Sequence, residues 1–266
     1  MEIVLIILFI LLGTVLGGLQ AIGNRRWDAY IRAREDYDED VDGKMTKKEK
    51  EAFEARKEAE AKLIRMPVKD ILKERPGRFA ACLFLGAAGS TALFLFYGVN
   101  AATWTLLAFF TVMILIAMID LDTMEIPFSL NLVILGLGLL SLLTFQWTEP
   151  FSEITIVNRI VGMLVIAGPM LILDLIIPGA FGGGDIKMMF AAGFLLGWKI
   201  IVCGFFFGAV IGGVVGVTVM ICRKKGRKEH IPFGPSLCAG MAIAVFAGTQ
   251  MIDWYIEILK RAMGKG

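Results

Sequence analysis

Long apolar runs separated by short polar or Gly/Pro breaks make up most of this chain, with one large exception. The first run covers residues 1–22, and apolar character returns from Phe79 onward. The breaks place further runs at about 79–98, 102–119, 128–146, 157–178, 186–198, 200–222 and 235–256. Runs of this length and apolarity predict membrane-spanning helices. The stretch 186–222 is too long for one crossing: as a single helix it would measure roughly 55 Å, against a hydrocarbon core of about 30 Å. Gly197-Trp198-Lys199 is the natural place for it to turn. The expectation is an all-α, polytopic helix bundle of about eight transmembrane helices.

The exception is Asn24 to Arg78, which carries 16 Lys/Arg and 14 Asp/Glu. This is a soluble, helix-compatible insert after the first span. The domain reading is therefore 1–23 as a first transmembrane helix, 24–78 as a charged insert and 79–266 as a seven-helix membrane domain. The first run opens on Met1-Glu2 and lacks a basic n-region, so it reads as a retained span rather than a cleaved signal.

Composition agrees with the pattern. The 266 residues are 57% hydrophobic, and mean hydropathy is +0.71, too apolar for an ordinary soluble domain. A net charge of +2 gives no reason to expect a nucleic-acid partner. Its distribution is more telling. With the N-terminus outside, the insert and the 120–127, 179–187 and 223–230 loops share one side, which holds 22 of the 27 basic residues. Arg159, Lys199, Lys260, Arg261 and Lys265 are left for the other. The crowded side is the cytoplasmic one, which predicts a multi-pass protein of the inner (plasma) membrane. Cys82, Cys203, Cys222 and Cys238 are solitary, so no zinc or disulfide framework is suggested. The single histidine, His230, reads as a surface residue.

The chemistry centres on two acids. Asp185 stands in Phe181-Gly182-Gly183-Gly184-Asp185-Ile186-Lys187, between two apolar runs. A carboxylate in such a place is costly and marks a functional site by default. Asp120 closes the run Thr111 to Ile119, and the charge count puts both acids at the same face. Two carboxylates brought together in a low-dielectric place share one proton, as in an aspartyl protease. Either acid alone also reads as an ordinary helix-end residue: Asp185 as a helix N-terminal charge, Asp120 as a juxtamembrane one. Asp122 and Glu125 read as solvated caps. Gly182 and Gly184 would let the backbone leave helical geometry and approach another chain closely.

Ile119-Asp120-x-Asp122 with Ile126-Pro127, then Gly182-x-Gly184-Asp185-x-Lys187, then Ile231-Pro232-Phe233-Gly234-Pro235 resemble the type IV prepilin peptidases, intramembrane GxGD aspartyl proteases. The resemblance covers about residues 79–256. It implies that Asp120 and Asp185 are the catalytic pair, with Gly182, Gly184 and Lys187 in the active-site loop. It implies pilin-like precursors as substrates, each cut between a short basic cytoplasmic leader and an apolar membrane helix. Phe128 departs from the Asp or Asn usual in the family after the proline of the first motif. Lys187 has a second reading, as a snorkelling lysine at a cytoplasmic helix end.

Many members of that family carry paired Cys-x-x-Cys zinc motifs in the first cytoplasmic loop, together with an N-methyltransferase activity using S-adenosylmethionine. The loop here has no cysteine, which removes that zinc pattern and leaves methylation open. It carries instead Asp38-Glu39-Asp40-Val41-Asp42-Gly43-Lys44-Met45-Thr46-Lys47-Lys48-Glu49, which fits the EF-hand calcium template. Asp38, Asp40, Asp42, the Lys44 carbonyl and Glu49 are the candidate ligands. Thr46-x-x-Glu49 is also a capping box opening a charged helix, and both readings stand together. Proteolysis itself calls for no cofactor.

Two other functions fit less of the chain. A presenilin-like protease expects Tyr before the first aspartate, where Ile119 stands. A proton-coupled transporter would use Asp120 and Asp185 as a relay, but such proteins favour midplane acids and internal repeats. These acids lie at an edge.

Overall fold

The computed structural model describes residues 4–20, 76–149, 151–223 and 232–263. Outside them lie residues 24–75 of the insert, with the candidate calcium ligands Asp38, Asp40, Asp42, Lys44 and Glu49, together with His230, Ile231 and the basic run after Arg223; residues 76–78, assigned from sequence to the insert, are helical. Every regular element among the described residues is helical. In chain order these are α1 (Val4–Gln20), α2 (Pro76–Tyr97), α3 (Ala101–Thr123) and α4 (Phe128–Thr144). Two single-turn 3-10 helices follow, then α5 (Ile156–Val165), α6 (Ala167–Ile176), α7 (Gly183–Arg223) and α8 (Gly234–Ala262).

Six described helical stretches are long and apolar enough to cross a membrane, and α1 is a shorter apolar helix. The expected eight spans are thus not reproduced as eight separate membrane-length helices. The count differs because Gly183–Cys222 forms one stretch and α1 is shorter than a full span; two breaks interrupt the long stretches. Gly197 has φ 74° and ψ 171° inside α7, a conformation glycine adopts without steric cost. α7 is therefore two helical segments that meet at Gly197, inside the Gly197-Trp198-Lys199 stretch where the sequence places a break. The other break separates α5 from α6 at Ile166. Pro169 lies four residues beyond Val165 and cannot donate to its carbonyl. The outer faces carry large apolar side chains such as Phe84, Leu139, Ile160 and Val214. Apolar surface on this scale marks a face meant for lipid, and the protein is a multi-pass membrane protein.

The chain divides into two compact units, Met1–Thr91 and Ala92–Gly266. In the first, α1 lies against the start of α2 at very close range. A Cβ on Gly13 would fall 2.2 Å from the Gly86 carbonyl oxygen, and the Ser90 hydroxyl donates to the Phe9 carbonyl at 2.8 Å. In the second, α7 packs along α8 and also against α4 and α5. Gly204 and Gly208 abut Met241 and Leu237 of α8, so these glycines, four residues apart, serve helix packing. Leu106, Phe109, Ile116, Ile134, Met188, Leu195 and Met241 fill the core between these helices.

Arg159, counted from sequence with the loop charges, is instead a buried residue of α5, 2% exposed. Its Nη1 donates to the Phe194 and Leu195 carbonyls at 3.0 and 3.2 Å and to the Ser141 hydroxyl at 2.6 Å. Those carbonyls end the helical segment that Gly197 interrupts. A helix C-terminus presents unpaired carbonyls and a partial negative charge, and Arg159 meets both.

Candidate active site

The two acids reach one cleft from different helices. Asp120 is on α3, near its end but inside it, because the helix continues to Thr123. Met124 then adopts a left-handed conformation, φ 57° and ψ 26°, and its N–H donates to the Asp120 carbonyl at 2.9 Å. This αL cap stops the helix and turns Glu125 and Ile126 back across its end. Pro127 follows as the N-cap of α4.

The glycine segment makes the close approach its sequence suggests, but at Gly184 it does so from helical backbone. Gly183 already starts α7, and the Ile186 N–H donates to the Gly182 carbonyl at 3.2 Å. Gly184 is therefore helical, and its value is the space left by its missing side chain. A Cβ there would sit 2.8 Å from Ile126 Cβ and 3.3 Å from Ile126 N. Only a glycine lets the turn after α3 come this close to the first turn of α7. A Cβ on Gly182 would lie 3.0 Å from Asp185 Oδ2. Asn131, buried on α4, reaches the Gly184 carbonyl through Nδ2 at 3.4 Å.

The result is a cleft of about 280 Å³ lined by Asp120, Met124, Glu125, Ile126, Gly182, Gly183, Gly184 and Asp185. Asp120 is 5% exposed and Asp185 9%. One Asp120 oxygen, Oδ2, accepts the Gly234 N–H at 3.0 Å, at the positive end of α8. Asp185 Oδ1 is buried and accepts no hydrogen bond among the described residues. An unpartnered carboxylate oxygen beside a second carboxylate is costly. It is the sort of under-satisfied group that functional sites retain.

Lys187 is not among the residues lining this cleft. It is exposed, and its Nζ lies 5.5 Å from the centre of the Phe128 ring. The residue that departs from the family pattern is thus the one Lys187 faces. Sequence reasoning passed over three participants. Glu125, taken for a solvated cap, lines the cleft, as does Met124. Gly234, given no role beyond its place in the third motif, holds Asp120 directly, and a Cβ there would fall 2.6 Å from Asp120 Oδ2. Its place in Pro232-Phe233-Gly234-Pro235, at the start of an apolar run, was the signal for a backbone donor.

Residues 107–217, which contain both aspartate motifs, match the type IV leader peptidase family. Over that segment the chain is similar to this family. Among curated leader peptidases, the chain is 28% identical over 178 residues to a prepilin leader peptidase/N-methyltransferase of Bacillus subtilis (strain 168), covering 67% of each protein. It is 33% identical over 153 residues to a protein of the same name from Legionella pneumophila, covering 54% of this chain and 50% of that one. For the Burkholderia pseudomallei (strain 1026b) protein the figures are 32% over 165 residues, 61% and 52%. The matched region thus spans two thirds of the first relative and about half of the other two. No solved structure matches the chain.

Proposed function

We propose that this chain is an intramembrane aspartyl endopeptidase that removes the basic leader from pilin-like precursors at the cytoplasmic membrane face. The observation that carries the proposal is the cleft itself. Asp120 and Asp185 arrive from separate helices, line one small cavity and are almost wholly buried. In such a pair one carboxylate is ionised and takes a proton from water, while the other is protonated and donates to the scissile carbonyl. The two titrate together, and neither role belongs to one residue alone. The Gly234 N–H fixes one oxygen of Asp120, and the buried Asp185 Oδ1, with no hydrogen-bond partner among the described residues, is the acceptor that a water or substrate entering the cleft would satisfy.

The orientation rests on the distribution of Lys and Arg, which puts the insert and both acids on the cytoplasmic side. That is where the junction between a basic leader and an apolar pilin helix would lie. The relatives' names add an N-methyltransferase activity. The segment associated with it here is the insert, and the cleft chemistry needs neither it nor S-adenosylmethionine. The transporter reading gains nothing from the geometry, because both acids sit in the terminal turns of their helices rather than mid-helix.

Co-expression of the full chain with tagged pilin-like precursors tests the proposal, with leader loss followed by gel shift. Processing is expected from the parent and from Asp122→Asn, and none from Asp120→Asn or Asp185→Asn. Cleavage surviving in both single variants would remove the catalytic assignment. A parent that leaves several precursors uncut would remove the protease reading.

A further inference from the structure

One stretch of the cleft wall is set from outside the cleft. α6 ends at Ile176 and α7 starts at Gly183, and the chain between them forms turns and bends. Gly182, the last residue of this loop, lines the cleft together with Gly183 and Gly184. Its carbonyl accepts the Ile186 N–H at 3.2 Å, and a Cβ on it would lie 3.0 Å from Asp185 Oδ2. Where Gly182 stands therefore decides the room beside the Asp185 carboxylate and the first turn of the helix that carries it.

The loop's own backbone bonds are few. The Ile177 N–H donates to the Leu173 carbonyl at 2.8 Å and the Ala180 N–H to the Ile177 carbonyl at 3.0 Å. Pro178 has no N–H. The amides of Gly179 and Phe181 turn instead to a side chain: both donate to Asp174 Oδ1, at 3.1 and 3.3 Å. On the other side of the wall, Asn131 Nδ2 reaches the Gly184 carbonyl. The three glycines thus run between two side-chain anchors, neither of which is among the residues lining the cleft.

Asp174 stands in the last turn of α6, among the exposed apolar residues Leu171, Ile172, Leu175 and Ile176. Two effects oppose a carboxylate there. A membrane-spanning helix disfavours charge, and the C-terminal end of a helix carries partial negative charge of its own. The two charge-assisted hydrogen bonds to the loop act against both.

We infer that Asp174 is a positioning residue for the cleavage reaction, its carboxylate oxygen holding the 177–182 loop so that Gly182 stands against Asp185. It acts through the amides of Gly179 and Phe181, not on the substrate. What the loop needs is an acceptor at that point, which the carbonyl oxygen of Asn also supplies. The inference rests on the peptidase reading, and the experiment separates the failure of one from the failure of the other.

The parent chain, Asp174→Ala and Asp174→Asn are purified in maltoside micelles. Amide hydrogen exchange of the 177–182 segment, the thermal midpoint, and kcat and KM for a tagged pilin-like precursor are measured on each. Alanine has the higher helix propensity and removes an anion from the negative end of α6, so the helix itself should form at least as well. In Asp174→Ala, exchange of the segment is expected to quicken by roughly tenfold or more, the scale of a lost bond to a charged group. With the wall displaced, kcat and kcat/KM are expected to fall together by roughly tenfold or more while KM stays within about twofold. Asp174→Asn is expected to restore exchange and kcat to within about threefold of the parent, because a neutral acceptor keeps most of a hydrogen bond. Unchanged exchange or unchanged kcat in Asp174→Ala would overturn the inference. So would an Asn variant no better than Ala, or a fall in thermal midpoint that accounts for the lost cleavage. A parent that cuts no precursor removes the peptidase reading and the catalytic role of Asp174 with it; a parent that cuts beside an equally active Asp174→Ala removes the role of Asp174 alone.

Discussion

The two ends of α4 each bury charge, and they treat it in opposite ways. At the Phe145 end, Arg159 meets the carbonyls freed where Gly197 interrupts α7, and most of its donors are taken. At the Phe128 end, Asp120 meets one backbone amide at the start of α8, and Asp185 keeps a buried oxygen with no hydrogen-bond partner among the described residues. Both ends follow the same electrostatic rule: a cation sits at a helix C-terminus and an anion at an N-terminus. What separates them is satisfaction. A largely satisfied buried charge holds helices together, whereas an under-satisfied pair is costly to keep and is retained for chemistry. The comparison predicts that variants at the aspartate end lose activity while keeping the fold. Variants at the arginine end should lose stability first.

The largest effect should come from Asp185→Asn. The side chain keeps its shape and leaves the cleft unable to share a proton. Initial rates of precursor cleavage should fall by about 10³ or more, equivalent to roughly 4 kcal/mol of transition-state stabilisation. The thermal midpoint should stay level or rise, because an unpartnered carboxylate has gone. A large fall in the midpoint would show that Asp185 is structural and break the contrast.

Gly234→Ala comes next. The new Cβ would fall 2.6 Å from Asp120 Oδ2, so the carboxylate or the start of α8 must shift. Displacing a reacting group by about an ångström costs on the order of 10²-fold in rate. Cleavage should drop by that factor with circular dichroism unchanged. Full activity in this variant would mean that the amide is not what positions Asp120.

The two ends were not equally visible in the sequence. Asp120 and Asp185 stood out because ionised groups are rare beside apolar runs, and the helices that carry them followed from run length alone. The turn at Gly197 was legible too, since one helix through 186–222 was too long. Other features depend on neighbours distant in sequence. Nothing local shows that Gly234 meets Asp120, 114 positions away. Nothing local shows that Gly184 is needed for room beside Ile126 rather than for freedom of φ. Arg159 was misplaced because a charge near a run boundary ordinarily belongs to a loop, and only the carbonyls of Phe194 and Leu195 explain its burial. The split between α5 and α6 had a local signal in Pro169 that the apolar run concealed.

At the arginine end, Arg159→Met keeps the side-chain length and removes the donors. The Phe194, Leu195 and Ser141 carbonyls then lose their partner in a buried place, which costs about 1–3 kcal/mol per unsatisfied group. Loss of the buried charge offsets part of this. A net destabilisation of about 2 kcal/mol follows from those two contributions. It should appear as a lower thermal midpoint with cleavage per folded molecule unchanged. A variant that folds normally but cleaves poorly would couple the two ends and end the contrast between them.

The smallest effect tests whether charge as such matters at that end, or only buried charge. Lys199 and Asp253 pair at 2.6 Å with side chains 27% and 49% exposed. Water screens such a pair, and holding two flexible side chains together costs entropy, so exposed pairs contribute about 0.2–1 kcal/mol. Asp253→Asn should therefore shift the midpoint by less than half the shift of Arg159→Met, and the shift should shrink further at high salt. If Asp253→Asn costs as much as Arg159→Met, burial is not what sets the energetic weight of charge here. The arginine end would then owe its stability to a network reaching from Arg159 through Gly197 to α8.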